Sequence, residues 1–136
     1  MSSWTEAAVA AALGIHSPGG DLDRSYTGIS TDTRRLAGGE LFVALRGDTH
    51  DAHDYLAQAH AGGAAGAVVE RIPDGAPEGM RYYVVTDSLA ALGQLGRARR
   101  RQLDLPLVAV AGSNGKTTTK ELLRAALSPK YRVHAT

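Results

Sequence analysis

Residues 107–127 read LVAVAGSNGKTTTKELLRAAL, and this stretch indicates the fold class. Residues 107–111 are a continuous apolar run of the kind found in a buried parallel strand, and residues 120–127 have the apolar spacing of a helix. A glycine-rich loop lies between them. The order strand, loop, helix aims the free N–H groups and the positive dipole end of the helix at the loop, where a phosphate group can bind. The stretch therefore predicts an α/β nucleotide-binding unit.

The loop has the residue types of a phosphate cradle. Its candidate cofactor-binding residues are Gly112, Ser113, Asn114, Gly115, Lys116, Thr117 and Thr118. Glycines let backbone N–H groups converge on phosphate oxygens, the lysine adds a mobile positive charge, and the following hydroxyl can ligate Mg2+. Val110 stands where the general pattern has its first glycine, so the match is to the shorter form G-x-x-G-K-T. The alternative is an ordinary strand-to-helix turn that happens to contain glycine and lysine.

Composition limits the classes of function. The chain has 136 residues, 43% of them hydrophobic, a net charge of +1 and no cysteine. A charge so close to neutral argues against a bulk polyanion such as nucleic acid as the partner, and the lack of cysteine excludes disulfides and thiolate metal sites. The start lacks the pattern of an export signal, and no apolar stretch approaches the roughly 20 residues that span a bilayer. We therefore expect a cytoplasmic protein without membrane insertion.

The residues before the loop predict a small α/β unit with a short mixed sheet. Ser3 and Glu6 resemble a capping box for a helix that runs to about Leu13 and is ended by Gly14. Further helices are expected at residues 55–61 and from Asp87 or Ser88 to about Leu103. Strands are expected at residues 28–31, 41–45, 67–69 and 82–85. The long helix is predicted to place four leucines on or near one face: Leu89, Leu92, Leu95 and Leu103.

The change in pattern near Thr86 and Asp87 predicts two domains, residues 1–86 and residues 87–136. The second contains only one clear strand, with residues 131–134 as a candidate partner, and such a sheet has exposed edges and buries little surface. We therefore expect it to be the incomplete start of an ATP-binding domain, able to associate through its free strand edges.

Two polar stretches each follow a predicted strand. Residues 30–34, STDTR, offer hydroxyls and a cation for a phosphate or sugar ligand, or simply form a turn centred on Asp32. Residues 45–53 contain His50, Asp51 and His53, which could form a metal site, but a ligand-contacting or solvated turn is the alternative.

A third polar stretch, the arginines at 97 and 99–101, lies late in a predicted helix. It fits a solvated helix face, with nucleic-acid contact as the alternative.

Residues 30–34, 38–47 and 51–55 together resemble the amino-terminal domain of the Mur ligases, the ATP-dependent amide-forming enzymes of peptidoglycan precursor synthesis. Residues 112–118 are similar to the ATP loop of that family, including the missing first glycine. Residues 85–93 and 119–121 look most like members that join D-alanyl-D-alanine to a UDP-N-acetylmuramoyl-tripeptide. Members that add the third amino acid to a UDP-N-acetylmuramoyl-dipeptide are the alternative.

The resemblance implies a mechanism. ATP would phosphorylate the terminal carboxylate of the UDP-linked peptide, and the incoming amine would displace phosphate from that acyl phosphate. Lys116 would be the catalytic residue that neutralises charge on the β- and γ-phosphates, and Thr117 would ligate Mg2+.

The resemblance also implies a binding site for the UDP-sugar end of the substrate. The residues that it assigns there are Thr31, Thr33, Arg34, Asp48, Thr49 and His50. Ala52 stands where the family usually has glycine, so the geometry of this turn depends on whether it needs a positive φ.

The other ligands and the third domain of the family would lie beyond Thr136, so the resemblance implies that this chain alone does not ligate. For the full-length enzyme it implies a monomer. Two other classes remain open: a stand-alone module that binds UDP-sugar nucleotides, and a P-loop regulatory or assembly protein.

Overall fold

The computed structural model describes residues 4–17 and 24–136. It divides into two compact units, Met1–Leu103 and Asp104–Thr136, each of which is described by itself. The architecture is α/β, which confirms the fold class predicted from the sequence.

In the described residues of the first unit the strands form two sheets, one antiparallel and one parallel, where the sequence predicted a short mixed sheet. Strands β1 (Trp4–Thr5) and β2 (Ser25–Tyr26) form an antiparallel pair. The other sheet is parallel, in the order β3-β4-β5-β6, and its strands are β3 (Ile29–Ser30), β4 (Leu41–Val43), β5 (Gly66–Val69) and β6 (Arg81–Val84). The sequence did not reveal β1 and β2, because two residues are too few to show an alternating pattern.

Among the described residues of the first unit there are also three α-helices and two 3-10 helices. They are α1 (Glu6–Leu13), α2 (Leu56–Ala61), α3 (Ser88–Gln102) and the 3-10 turns Thr33–Arg35 and Ala52–Tyr55. Gly14 ends α1 in the left-handed conformation at φ 66°, and the Asp87 side chain caps α3 by accepting the Ala90 N–H at 2.8 Å. Both caps confirm the predictions.

The predicted capping box at the start of α1 is wrong where it can be checked. Thr5, not Ser3, is the N-cap, and its hydroxyl accepts the Ala8 N–H at 3.1 Å, while Ser3 lies outside the described residues. Glu6 instead lies fully buried and forms an ion pair with Arg81, with Nε 3.2 Å from Oε2. The pair links α1 to β6.

The parallel sheet is covered on both faces. Because successive side chains of a strand point to opposite faces, β4, β5 and β6 each contribute to two hydrophobic clusters. Leu41 and Val43 of β4 pack with α1 and α3, whereas Phe42 of the same strand packs with α2. Tyr26 of β2 and Tyr83 of β6 are both buried in the first cluster and share a hydrogen bond of 2.7 Å between their hydroxyls. The sheet is therefore a rigid platform for the loops that leave it.

Helix α3 belongs to the first unit, so the division falls after Leu103 and not at the expected position between Thr86 and Asp87. The reason is its buried face, which consists of Ser88, Ala91 and Leu95. Ala91 and Leu95 pack into the cluster that contains α1. Leu89, expected on this face, is 67% exposed.

The second unit contains helix α4 (Lys116–Leu127) and no strand among its residues, all of which the structure describes. The strands predicted at residues 107–111 and 131–134 are therefore wrong. A strand exists only through ladder pairing with a neighbour, and none is present here: Leu107 and Val108 are 66% and 61% exposed.

Within the described part of the chain, no helix combines the length and apolar character needed to span a membrane.

Gly66 of β5 provides a test of the close packing at the centre of the sheet. A Cβ atom there would lie 2.9 Å from the Arg81 carbonyl oxygen and 2.9 Å from Cε1 of Tyr26. We predict that Gly66→Ala lowers the free energy of unfolding by about 1–3 kcal/mol. Urea unfolding followed by fluorescence of Trp4, the single tryptophan, measures this.

The matched control is Gly93→Ala in α3, where an added Cβ meets no atom within 4 Å. This variant should gain about 0.5–1 kcal/mol, because alanine favours a helix interior over glycine. Equal unfolding midpoints for the two variants would contradict the packing described for Gly66.

Candidate functional site

The carboxyl edge of the parallel sheet brings several candidate residues together. Neighbouring strands β3 and β4 are parallel, so the loops that follow them leave from the same edge. Thr31 follows β3, and residues 48–50 lie in the loop after β4. In open parallel sheets ligands bind at this edge. The two polar stretches that the sequence singled out separately therefore follow neighbouring strands at the same edge of the sheet.

A cleft of about 690 Å³ opens beside the end of β3. Its lining includes Thr31, Asp32, Arg35 and Glu40 together with residues 27–30. Thr31 is the one predicted substrate-binding residue in this lining: Thr33, Arg34 and residues 48–50 are not part of it. The cleft presents hydroxyl groups, a cation and two carboxylates.

Arg34 is engaged in an ion pair rather than aimed into the cleft. Its Nε and Nη2 atoms donate to the two carboxylate oxygens of Asp32 at 2.9 and 2.8 Å, and Asp32 also accepts the Arg34 backbone N–H at 3.0 Å. These hydrogen bonds from Arg34 lower the pKa of Asp32 to about 2. The Asp32-centred turn considered for the sequence is thus present. Arg35, which the sequence analysis did not select, is the arginine that lines the cleft.

Glu40 shapes the far wall of the cleft. Its carboxylate accepts the backbone N–H groups of Ala37 and Gly38, each at 2.8 Å. Burial works to raise the pKa of Glu40, but these two hydrogen bonds outweigh it and hold the pKa below its ordinary value. The carboxylate is therefore pinned to the loop and stays ionised.

The loop after β4 is short and closed on itself. Arg46 and Asp51 form an isolated antiparallel bridge, and the Gly47 N–H donates to the His50 carbonyl at 2.8 Å. The Thr49 hydroxyl lies 2.8 Å from Nδ1 of His50. Residues 46–50 are all exposed, so their polar groups are accessible to a ligand.

Asp51 begins the next turn and holds a buried histidine. Its Oδ1 atom accepts both the backbone N–H of His53 at 3.0 Å and the ring Nδ1–H at 2.5 Å, and its Oδ2 atom pairs with Arg71 at 3.1 Å. The backbone hydrogen bond from His53 is the main reason that the pKa of Asp51 is lowered to about 2.

Ala52 does not strain this turn. It lies in the 3-10 helix Ala52–Tyr55, and among the described residues none other than glycine has a positive φ. The replacement of the family's usual glycine is therefore compatible with the local geometry.

The metal-site interpretation of residues 50–53 is not supported by the geometry. In residues 4–17 and 24–136 no group of three or more histidine and acidic side chains could hold a metal ion. His53 is only 2% exposed, and its ring is already used in hydrogen bonds to Asp51 and to Glu70.

The glycine-rich loop has the predicted helix directly after it. Gly112 and Gly115 have φ of 139° and 76°, which a residue with a side chain rarely adopts, and Gly115 is the N-cap of α4. The Lys116 ammonium donates to the Gly112 carbonyl across the loop. Residues 112–119 are exposed, and a helix start leaves its first N–H groups without intrahelical partners. The loop is therefore shaped and open for an anion.

Thr117 is exposed, and its hydroxyl oxygen is the kind of ligand that Mg2+ binds together with phosphate oxygens. It fits the expected metal as one ligand of a set completed by a bound nucleotide.

Comparison with known proteins gives a consistent result, although no family model matches the chain. The chain is 41% identical over 109 residues to the UDP-N-acetylmuramoyl-tripeptide--D-alanyl-D-alanine ligase of Bacillus subtilis (strain 168), covering 80% of this chain and 24% of the relative. It is 38% identical over 112 residues to the UDP-N-acetylmuramoyl-L-alanyl-D-glutamate--2,6-diaminopimelate ligase of Geobacter metallireducens, covering 81% of the chain and 22% of the relative.

Solved structures agree. A crystal structure of MurF from Acinetobacter baumannii matches with a TM-score of 0.81 and 36% identity, over 97% of this chain and 29% of that one. MurF ligase from Thermotoga maritima in complex with ADP matches with a TM-score of 0.65 and 32% identity, over 75% of this chain and 23% of that one. The chain spans about a quarter of the length of the curated relatives it matches.

The lowered pKa of Asp51 predicts how stability depends on pH. Its folded pKa of about 2 lies below the ordinary 3.8, so the ionised carboxylate stabilises the fold above about pH 4, and this contribution is lost as the pH falls toward 2. We predict that Asp51→Asn lowers the free energy of unfolding near neutral pH by about 1–2 kcal/mol. The difference from wild type should shrink as the pH falls from about 4 to 2 in urea titrations.

Asp74→Asn, in the exposed loop before β6, serves as the control and should leave stability unchanged at every pH. A constant difference between wild type and Asp51→Asn across the acid range would show that the charge of Asp51 does not stabilise the fold.

Proposed function

This chain is a relative of the Mur ligases over about a quarter of their length, and we propose that it belongs to a ligase that joins D-alanyl-D-alanine to a UDP-N-acetylmuramoyl-tripeptide. In this proposal the first unit captures the UDP-sugar end of the substrate, and the second supplies the ATP loop. The observation that carries it is the position of Thr31 and residues 48–50 after neighbouring parallel strands, at the same sheet edge, in a chain 41% identical to such a ligase.

The chemistry of the proposed reaction has two steps. The γ-phosphoryl group of ATP passes to an oxygen of the peptide carboxylate, and ADP leaves. The amine of D-alanyl-D-alanine then attacks the carbonyl carbon of the acyl phosphate, phosphate leaves, and the nitrogen loses a proton to form the amide. Bound Mg2+ would neutralise phosphate charge in the first step, with Thr117 as its protein ligand in this chain.

Lys116 is the proposed catalytic residue. Its ammonium now donates to the Gly112 carbonyl, so it already lies over the loop where phosphate oxygens would replace that acceptor. A charge-assisted bond to phosphate is stronger than one to a neutral carbonyl, which favours the exchange when ATP arrives. The N–H groups at the start of α4 and the backbone of residues 112–115 would complete the cradle.

In the first unit, the proposed contacts to the UDP-sugar are Thr31 and residues 48–50. Arg35 is an addition, because it lines the cleft that contains Thr31. Arg34 and Thr33 have a weaker case: Arg34 is paired with Asp32, and Thr33 does not line the cleft. Arg34 can still contribute indirectly by holding Asp32 in its turn.

Ligation of the third amino acid is the alternative step. The Geobacter metallireducens relative is named as a 2,6-diaminopimelate ligase, and the chain is 38% identical to it. The chain is 41% identical to the D-alanyl-D-alanine ligase of Bacillus subtilis. The small difference favours the D-alanyl-D-alanine step. The chain spans about a quarter of either enzyme. In the same proposal this chain alone does not ligate, and the full enzyme is a cytoplasmic monomer.

Isothermal titration with two ligands tests the proposal. We predict that the chain binds UDP-N-acetylmuramoyl-tripeptide, and that Thr31→Val weakens this binding about tenfold by removing a hydrogen bond. ATP should bind more weakly than the UDP ligand. Lys116→Ala should reduce ATP affinity by about 10–100-fold, the value of a charge-assisted bond, and leave the UDP ligand unaffected.

Each variant has a matched control. Thr86→Val changes an exposed threonine after β6, the strand at the other end of the parallel sheet from β3, and Lys130→Ala removes the same charge beyond the end of α4. Binding of the UDP ligand without ATP binding would favour the stand-alone binding module. Binding of ATP without the UDP ligand would favour the P-loop regulatory or assembly protein and contradict the proposed substrate.

A further inference from the structure

His53 is a buried histidine whose two ring nitrogens are both used. It is 2% exposed, and Nε2 accepts the backbone N–H of Glu70 at 2.8 Å. A backbone N–H can only donate, so Nε2 carries no proton, and the proton lies on Nδ1, which donates to Asp51 at 2.5 Å. The ring is therefore the neutral Nδ1–H tautomer, and it connects two separate loops.

One end of this connection is the exposed loop after β4. Asp51 closes that loop through its bridge to Arg46, and residues 48–50 lie between the two. The carboxylate of Asp51 accepts the His53 ring on one oxygen and Arg71 on the other. The His53 ring therefore helps to fix the position of Asp51 and, through the bridge to Arg46, of the two ends of the loop.

The other end is a fixed point of the fold. Glu70 directly follows the fully buried strand β5, and its carboxylate Oε1 accepts both the backbone N–H and the hydroxyl of Ser88, each at 3.0 Å. These hydrogen bonds from Ser88 lower the pKa of Glu70 and keep it ionised. Ser88 is the first residue of α3, so His53 is attached to the point where β5 and α3 are joined.

We propose that His53 is a positioning residue that holds the loop of residues 46–51 in the orientation in which it binds the UDP-sugar nucleotide. This inference rests on the proposed function. His53 is too buried to touch a ligand, so it acts through Asp51. Packing alone does not account for a histidine here, because a buried polar ring costs free energy unless its hydrogen bonds are made, and an apolar ring would fill the same space.

Three substitutions separate bridging from packing. In His53→Asn the side-chain amide falls near the position of Nδ1 and can still reach Asp51, but not Glu70. In His53→Gln the amide falls near the position of Nε2 and can reach Glu70, but not Asp51. His53→Phe keeps the ring shape and makes neither bond.

We expect all three variants to bind UDP-N-acetylmuramoyl-tripeptide more weakly, by about 3–10-fold for His53→Asn and His53→Gln and at least about tenfold for His53→Phe. Amide hydrogen exchange of the ligand-free chain should quicken at residues 47–51 in each variant, while β4 and β5 stay protected. A role in packing alone predicts a different order, with the smaller asparagine most disruptive and phenylalanine nearly harmless.

Two controls accompany these variants. His60→Asn makes the same change at an exposed position in α2 and should alter neither affinity nor exchange. Val9→Ala removes core volume in the cluster on the other face of the sheet, and should lower the unfolding midpoint while leaving the affinity unchanged. It shows whether destabilisation alone can mimic the effect.

Wild-type affinity and wild-type exchange at residues 47–51 in His53→Phe would overturn the inference. So would an affinity loss in Val9→Ala equal to that in His53→Phe. If the wild-type chain binds no UDP ligand, the proposed function fails. The exchange measurement alone then decides whether His53 holds the loop.

Discussion

The parallel pairing of β3, β4, β5 and β6 is the constraint on which the rest of the first unit depends. Parallel strands must all run in one direction, so every loop that follows a strand leaves at the same edge. Helices α1 and α3 cover one face and bury Leu41 and Val68, and α2 covers the other face and buries Phe42. This one arrangement produces both the stable interior and the collection of polar side chains at the carboxyl edge.

The polar groups at that edge are arranged by hydrogen bonds rather than by packing. Asp32, Asp51 and Glu70 each accept a backbone N–H group of the loops, and each has a lowered pKa. Ionised carboxylates thus hold the loops in place through hydrogen bonds to their backbone N–H groups. Thr31, Arg35 and residues 48–50 remain exposed around these carboxylates. A site of this kind can bind a polar ligand with little rearrangement, because its loops are already fixed.

Local signals in the sequence predicted much of the fold. The apolar runs identified β3 to β6, Gly14 marked the end of α1, and Asp87 marked the start of α3. Features that depend on distant partners were missed or wrong. The two-residue strands β1 and β2 exist only because they pair with each other. Residues 107–111 have the composition of a strand but no neighbour to pair with.

The same division applies to the candidate site. The motif predicted the loop at Gly112 and its helix, and the resemblance selected Thr31. The choice of Arg34 over Arg35 depended on a side-chain pairing with Asp32 that spacing does not reveal. The role of His53 was hidden because Glu70 and Ser88, which complete its network, lie far along the chain.

The central claim is that the carboxyl edge of this sheet binds a UDP-sugar nucleotide. The most direct measurement is the change in backbone amide chemical shifts when UDP-N-acetylmuramoyl-tripeptide is added to the isotopically labelled chain. The account predicts shifts concentrated at residues 31–35 and 47–51, with residues 112–118 unchanged. Shifts confined to the glycine-rich loop, or no shifts at saturating ligand, would contradict it.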